Sequence, residues 1–451
     1  FFFKQKTAYE MCGRDWSSDV CSSDLQGGTQ VHEVLMDITG DVTPTQIEVG
    51  LMDRSYNATI PGSVLQPGVE MFIEVDPAGI VPLAPGSAPR VPASGTVALD
   101  VVEAPLMTLT VVPSVYGPNP LTTVFLWTDG LTAESQQLDF TRDVMPIGEM
   151  EVMVRDTFTT YSDLTTSDGW GAYLREIDVL RSLEGEIGYY YGVITLPGGS
   201  PYGGLGFVGY PVSVGNTSTT TVAHEIGHNM NLRHAACGGP SGVDPEFPHD
   251  GGSIGDWGYD SEKSGIGGLL SPDEYKDLMS YCGPRWISDY PFERALTHRL
   301  ANEPWAGTPG RVAQEGPMLV VWGATRDGVP QLEPSFVADG HARLPVEPGP
   351  YRLTGRHQDG SVLFDYSFSP VEVEFGGAHF TFTIPMQAGW EDGLGEIVVT
   401  GPGGESIIQG GGESPALAVV RQPSSGQVTA IVRDVPNPEA LAAGGDVLLS
   451  D

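Results

Sequence analysis

Hydrophobic and polar positions fall into three textures along the chain. From Gln26 to about Ala104 the runs VHEVLMDI, TQIEVGLM, EMFIEVD and TVALDVV are alternating or wholly apolar and separated by glycine and proline, the pattern of short β-strands joined by tight turns. A small N-terminal β domain, built as a sandwich, is expected over 26–104. From Pro105 to about Ala306 strand-like runs such as MTLTVVP, EMEVMVRD and YYYGVITL alternate with helical stretches. In one of these Trp170, Leu174, Ile177 and Leu180 recur at three- and four-residue spacing, giving a helix an apolar stripe to lay on a sheet. Residues 105–306 therefore read as a mixed α/β domain. Strands return from Gly307 to Asp451 as MLVVWGAT, PYRLTGRH, SVLFDYSF, HFTFTIP, GEIVVTG and ALAVVR, and predict an immunoglobulin-like β-sandwich region, or one and a part, over 307–451. It ends with no closing element and is expected to be cut short. The expected fold is multidomain: a mixed α/β domain flanked by β-sandwich domains.

Composition narrows the function classes. At 451 residues the chain exceeds what one core usually supports. Its 22 Lys and Arg against 58 Asp and Glu give a net charge of -36, which repels phosphate backbones and anionic lipid and suits solubility in an extracellular medium. No nucleic-acid partner is expected. No apolar run approaches the length of about eighteen that a membrane-spanning helix needs. The opening stretch FFFKQKTAYEMCGRDWSSDVCSSDL, residues 1–25, resembles translated sequencing-adapter read-through and is set aside as an artefact or a disordered leader. An export signal is then expected to be missing with the true N-terminus. Discounting Cys12 and Cys21 leaves Cys237 and Cys282. These two can make one bridge, which suggests an oxidising, extracytoplasmic location.

The chemistry concentrates in NTSTTTVAHEIGHNMNLRHAACGG. Ser218 or Thr219 is placed to cap a helix running to about Met230. Val222, Ile226 and Met230 would share its buried face, while His224 and His228, four apart, would share another and reach one ion. Gly227 inside that helix costs about 1 kcal/mol relative to alanine and points to an element packed closely there. For His234 to join the two histidines the helix must stop after His228, and Asn231 suits that turn because asparagine tolerates the left-handed conformation. Three neutral imidazoles form a zinc site with an open fourth position. Glu225, beside a ligand, is the candidate general base.

HEIGHNMNLRH resembles the extended zinc signature of the metzincin metallopeptidases, with Asn231 where that family usually has glycine. DLMSYC at 277–282 resembles the family's methionine turn. The resemblance implies that Met279 floors the site and that GGLGFVGYPVSVGN, 203–216, holds the substrate-binding edge strand, Gly204, Leu205, Gly206, Phe207, Val208 and Gly209, which pairs with an extended peptide. It also implies that Tyr281 reaches the zinc or donates to the oxyanion, against a plain reading as a packed aromatic. Residues Cys237 and Cys282 resemble the pairing in bacterial reprolysin-like or mucin-directed enzymes. The expected function is a secreted zinc metalloendopeptidase acting on polypeptide or glycoprotein substrates. The alternative is a glycan- or cell-surface-binding protein with a vestigial metal centre. The acidic segment Asp244–Asp260 offers calcium a second candidate site, with a solvated loop as its plainer reading. The segment GPRWISDYPFERAL is expected to lead into a helix walling the pocket.

Overall fold

In the computed structural model, residues 2–3, 20–26, 28–38, 50–51, 56–75, 89–185, 188–196, 198–261, 263, 268–304, 314–346, 348–390, 393–409, 417–433 and 446–449 are described. The predicted strand TQIEVGLM lies almost wholly outside them.

A nine-stranded sheet organises the molecule. Its central strand Met107–Tyr116 is buried along nearly its whole length, and Tyr189–Ile194 runs parallel beside it with Tyr191 opposite Val111. Val212–Gly215 follows in parallel, and Gly204–Gly206 closes that side as an antiparallel edge. On the other side Met150–Val154 and Phe158–Thr160 pair in parallel with successive halves of the central strand. Parallel strands buried on both faces need cover on both. Alternation along the strands sorts it: Val112, Tyr190 and Val214 face the helix Ser167–Leu183 and its stripe of Trp170, Leu174, Ile177 and Leu180. Val111, Tyr191 and Val193 face the opposite layer with Val222, Ile226 and Met230. The mixed α/β reading and its helix stripe stand, and the sheet also takes strands from beyond residue 306.

The C-terminal region departs from the expectation of a sandwich over all of 307–451. Its sandwich comprises Glu315–Arg326, Val329–Leu332, Phe336–His341, Val371–Glu372 and Ala378–Pro385 in one sheet, and Tyr351–His357, Val362–Phe368, Leu394–Gly401 and Gly404–Gln409 in the other. Leu319, Val321, Phe380 and Phe382 pack against Tyr351, Leu353, Phe364 and Val399 between them. The remaining strands leave the sandwich. Val428–Arg433 joins the large sheet in parallel with Phe158–Thr160, and Leu417–Arg421 and Asp446–Leu449 extend it further. The run ALAVVR is apolar enough for either sheet, and it pairs with Val428–Arg433, which has taken the edge left open beyond Phe158–Thr160. The first sandwich sheet is also covered on its second face, where Val320, Trp322, Phe336 and Ala338 pack onto the helix Ser167–Leu183.

Among the described residues the N-terminal region forms a six-stranded sheet, with Val101–Val102 paired separately to Phe2–Phe3, rather than a sandwich. Val69, Met71 and Ile73 gather with Leu99 and Val101 in its small core. One of its strands, Val20–Gln26, begins inside the stretch set aside from the sequence. No helix among the described residues is long and apolar enough to cross a membrane.

Candidate metal centre

The helix Thr219–Asn229 starts at Ser218, whose hydroxyl lies 2.9 Å from Thr220 Oγ1 and makes no cap bond to the helix. The helix ends where expected: Asn231 has φ 67°, and Met230, Asn231 and Leu232 fold their N–H groups back onto Ile226, His228 and Gly227 carbonyls. Its buried face holds Val222, Ile226 and Met230, all 0 % exposed. Gly227 has the close neighbour that its helix cost implied, since a β-carbon there would fall 2.8 Å from Met279 Sδ and 3.0 Å from Met145 Cε.

The three predicted histidines converge. His224 Nδ1 lies 2.9 Å from the Leu278 carbonyl, His228 Nδ1 2.8 Å from Leu232 and His234 Nδ1 2.5 Å from Ser241. A carbonyl oxygen only accepts, so each Nδ1 carries the ring proton and each Nε2 presents a lone pair. Those Nε2 atoms face one another, His228 at 3.2 Å from both His224 and His234. Burial pushes His224 down to about 3, helped by the His228 imidazole, so it stays neutral. Three inward lone pairs repel unless a cation sits among them.

Two carboxylates complete the cluster. Glu225 is buried against the edge strand, and that strand is glycine-rich for this reason. A β-carbon at Gly204 would lie 2.4 Å from Glu225 Oε1, and one at Gly206 3.3 Å from Oε2. The second carboxylate is Glu374, from the C-terminal sandwich. Its Oε2 is 2.7 Å from His228 Nε2 and 3.2 Å from His234 Nε2, and its Oε1 accepts from the Gly206 N–H at 2.9 Å. Ligand atoms of His224, His228, His234 and Glu374 all lie within 4.8 Å of one another. Oε2 of Glu225 and Oε2 of Glu374 are buried without a hydrogen-bond partner. Burial, and then the Glu374 carboxylate beside it, push Glu225 well above the usual carboxylate range. Burial also works against the ionised form of Glu374, whose carboxyl is held low only when positive charge, a proton or a metal, sits at the imidazole Nε2 atoms around it. Inward lone pairs and orphaned carboxylates at one point fit a divalent zinc ion, whose ordinary ligands are these groups.

Of the expected edge strand 204–209, Gly204–Gly206 form the strand and Phe207 makes a single bridge, while Val208 and Gly209 lie in the turn that leads back to Val212. Met279 is fully buried under the helix; its carbonyl accepts from Ala235 N–H at 3.0 Å and its N–H donates to Asp277 Oδ1 at 2.8 Å. Asp277 also accepts from Ser288 N–H at 2.8 Å. Burial pushes the Asp277 carboxyl up to about 6, only partly offset by these donors. Cys237 and Cys282 form a disulfide with 5.6 Å between Cα atoms, tying the segment after the third histidine to the methionine turn. The Tyr281 ring lies edge-on to His234 at 5.2 Å and stays 40 % exposed; burial and the Glu374 and Glu225 carboxylates push its phenol up. The predicted following helix is Asp289–Asn302, and its Arg294 donates to the Asn231 carbonyl at 3.0 Å, bracing the turn into His234.

The acidic segment Asp244–Asp260 gathers no second metal-capable group among the described residues. Asp244 accepts instead from Tyr290 at 3.1 Å and Arg294 at 3.3 Å. Glu374 is the residue that sequence reasoning missed. Its neighbourhood, VEVEFGG, alternates as any strand-and-turn segment does, and nothing local marks one glutamate as bound for a site 140 residues earlier.

No curated protein matches the chain. A family model described as Peptidase M66 matches residues 183–283, a span that holds the edge strand, the three histidines, Glu225, both bridged cysteines and Met279 and leaves out Glu374. In this span the chain is similar to zinc metallopeptidases, and the buried histidine and glutamate cluster is the place in it where a metal can be held.

Proposed function

We propose that the chain is a secreted zinc metalloendopeptidase of metzincin type that hydrolyses peptide bonds in extracellular proteins or glycoproteins. The observation that carries this reading is the commitment of all three Nδ1–H groups to backbone carbonyls, which aims three Nε2 lone pairs at one point beside the orphaned carboxylate of Glu225. A zinc ion bound there supplies Lewis acidity, acidifying water and polarising the scissile carbonyl. Ionised by the positive charge held beside it, Glu225 Oε2 takes the proton of the attacking water and returns it to the leaving nitrogen. Edge strand Gly204–Gly206 offers backbone groups to an extended peptide, and the Tyr281 phenol, kept protonated, donates to the oxyanion. The disulfide and the charge of -36 support an oxidising, extracellular setting.

The test is Glu225→Ala with zinc content measured in parallel on a quenched peptide library. Zinc should remain at one per chain while turnover falls by about 10²- to 10⁴-fold, the usual worth of a positioned base. Near-normal turnover in the zinc-loaded variant would remove the mechanism. Binding to glycans or cells with no chelator-sensitive hydrolysis would favour the alternative of an adhesive protein.

A further inference from the structure

The edge that should receive substrate already carries a strand. Val371–Glu372 pairs back onto Ala378–Pro385, and the hairpin closes with Gly376 N–H on the Val373 carbonyl at 2.9 Å. Its free side lies antiparallel to the edge strand with Phe207 opposite Val373. Val208 N–H donates to the Glu372 carbonyl at 2.9 Å and Glu374 N–H to the Gly206 carbonyl at 3.3 Å. These are the backbone bonds by which a sheet edge captures an extended peptide. Side chains hold the tip as well. Glu372 accepts from Arg233 at 2.6 Å, and Phe375 stacks on Tyr202 at 4.5 Å and on His234 at 5.7 Å. Glu374 ends against His228 and His234 with its second oxygen on Gly206 N–H.

We propose that the hairpin tip 371–377 is a built-in cap: it occupies the cleft as a bound peptide would, and Glu374 provides the fourth protein ligand to the metal held by His224, His228 and His234. This rests on the metallopeptidase reading above. A three-histidine zinc site works through its open position, whereas four protein ligands make a closed site. A carboxylate in the open position therefore binds the metal more firmly and silences the base beside it. The capped chain is latent, and turnover requires the tip to leave. Its outermost anchor, the Arg233–Glu372 pair, is partly exposed on both sides, so it is weak and salt-sensitive.

The full-length chain, its Glu374→Ala and Glu374→Gln variants, and Glu372→Ala decide this. Glutamine keeps the shape and an acceptor for Gly206 N–H, so it guards against a folding failure in the alanine variant. The cobalt-substituted proteins report the ligand set by visible absorption, the rate of zinc loss to excess chelator reports its grip, and a quenched peptide library reports hydrolysis. Both Glu374 variants should change the cobalt spectrum, release zinc at least about tenfold faster and hydrolyse peptides at least about tenfold faster than the native chain, because a closed site has been opened. Glu372→Ala should keep the cobalt spectrum and gain a smaller part of the hydrolysis. An unchanged spectrum in the Glu374 variants overturns the cap. So does hydrolysis that is no faster in them, since Glu374 would then belong to the working site or to none. Altered metal readouts with no hydrolysis in any of the proteins would instead overturn the peptidase reading and leave Glu374 a metal ligand.

Discussion

Two buried polar clusters lie in the layers that cover opposite faces of the large sheet, and they are built on opposite rules. In one, Glu176 and Glu333 meet Arg175 and Arg433 where the helix Ser167–Leu183, the sandwich and the added strand Val428–Arg433 come together. Glu176 accepts from Thr160 at 2.7 Å, from Ser162 at 2.8 Å and from Arg433, and Glu333 accepts from Arg175 at 2.6 Å and Arg433 at 2.9 Å. Burial works against Glu333, but Arg175 and then Arg433 hold it below the usual carboxylate range. Two carboxylates thus face two guanidiniums and every carboxylate oxygen is bonded. In the other cluster Glu225 and Glu374 face three neutral imidazoles, and an oxygen on each carboxylate is bonded to nothing. The first cluster is neutral by itself and serves as a joint between elements. The second holds no cation of its own, so Glu374 lacks a counter-charge and Glu225 is pushed towards its protonated form until a cation arrives. A buried network whose carboxylates are all paired with guanidiniums stabilises an interface even with Arg175 Nε and Arg433 Nη2 left unbonded, whereas one with orphaned carboxylates is retained for the ligand that completes it.

The sharpest way to break this contrast is to remove a ligand from the unsaturated cluster. His234→Ala should loosen zinc, which His224, His228 and Glu374 alone would then hold, and lower hydrolysis by several orders of magnitude, as metal analysis and the peptide assay would record. Full zinc occupancy with activity would mean that another group completes the set. His249 is poorly placed for that, being held 2.7 Å from Asp289. The ion-paired cluster should answer in stability instead. Arg433→Met strands Glu176 and half of Glu333's partners and should cost about 3 to 5 kcal/mol in denaturant unfolding, the range for breaking a buried pair, while the folded protein still binds one zinc. A loss under about 1 kcal/mol would show that solvent reaches the joint.

Smaller effects probe the edge of the metal cluster. Tyr281→Phe removes only a hydroxyl, and kcat should fall about a hundredfold with KM little changed. Unchanged kcat at intact stability would leave Tyr281 as packing against His234. Asp277 gives a stability window. Because its carboxyl is pushed up to about 6 from 3.8, the fold favours the protonated form. That contribution is full below about pH 4 and is lost as pH rises through 6, on the order of 2 to 3 kcal/mol in all. Subtracting the thermal stability of Asp277→Asn from that of the native chain at each pH should isolate this slope. A flat difference between pH 4 and 7 would mean that Met279 and Ser288 N–H groups fully compensate the burial.

Much of the centre was legible because it is local. The spacing of His224, His228 and His234, the breaking asparagine at 231 and the glycine at 227 all act within a few turns of one segment, where helix geometry fixes which side chains share a face. The methionine turn and the disulfide follow nearby, and they close on the helix as expected. Asp277 was visible as a residue but not as a role, and the edge glycines were placed in the edge strand but not as the room for Glu225, since burial against Ser288 and Glu225 appears only once the layers stack.

What the sequence by itself determined is the periodic part: the strands buried on both faces, the apolar stripe of Ser167–Leu183, and the helix that aims three imidazoles at one point. Only the tertiary structure decided that Leu417–Arg421 and Val428–Arg433 extend the large sheet rather than the sandwich, and that a hairpin tip delivers Glu374 to the histidines. The physical reason is that an open sheet edge presents the same N–H and C=O ladder to any strand. Alternation specifies that a strand exists, and the closing of surfaces far apart in the chain selects the edge it joins.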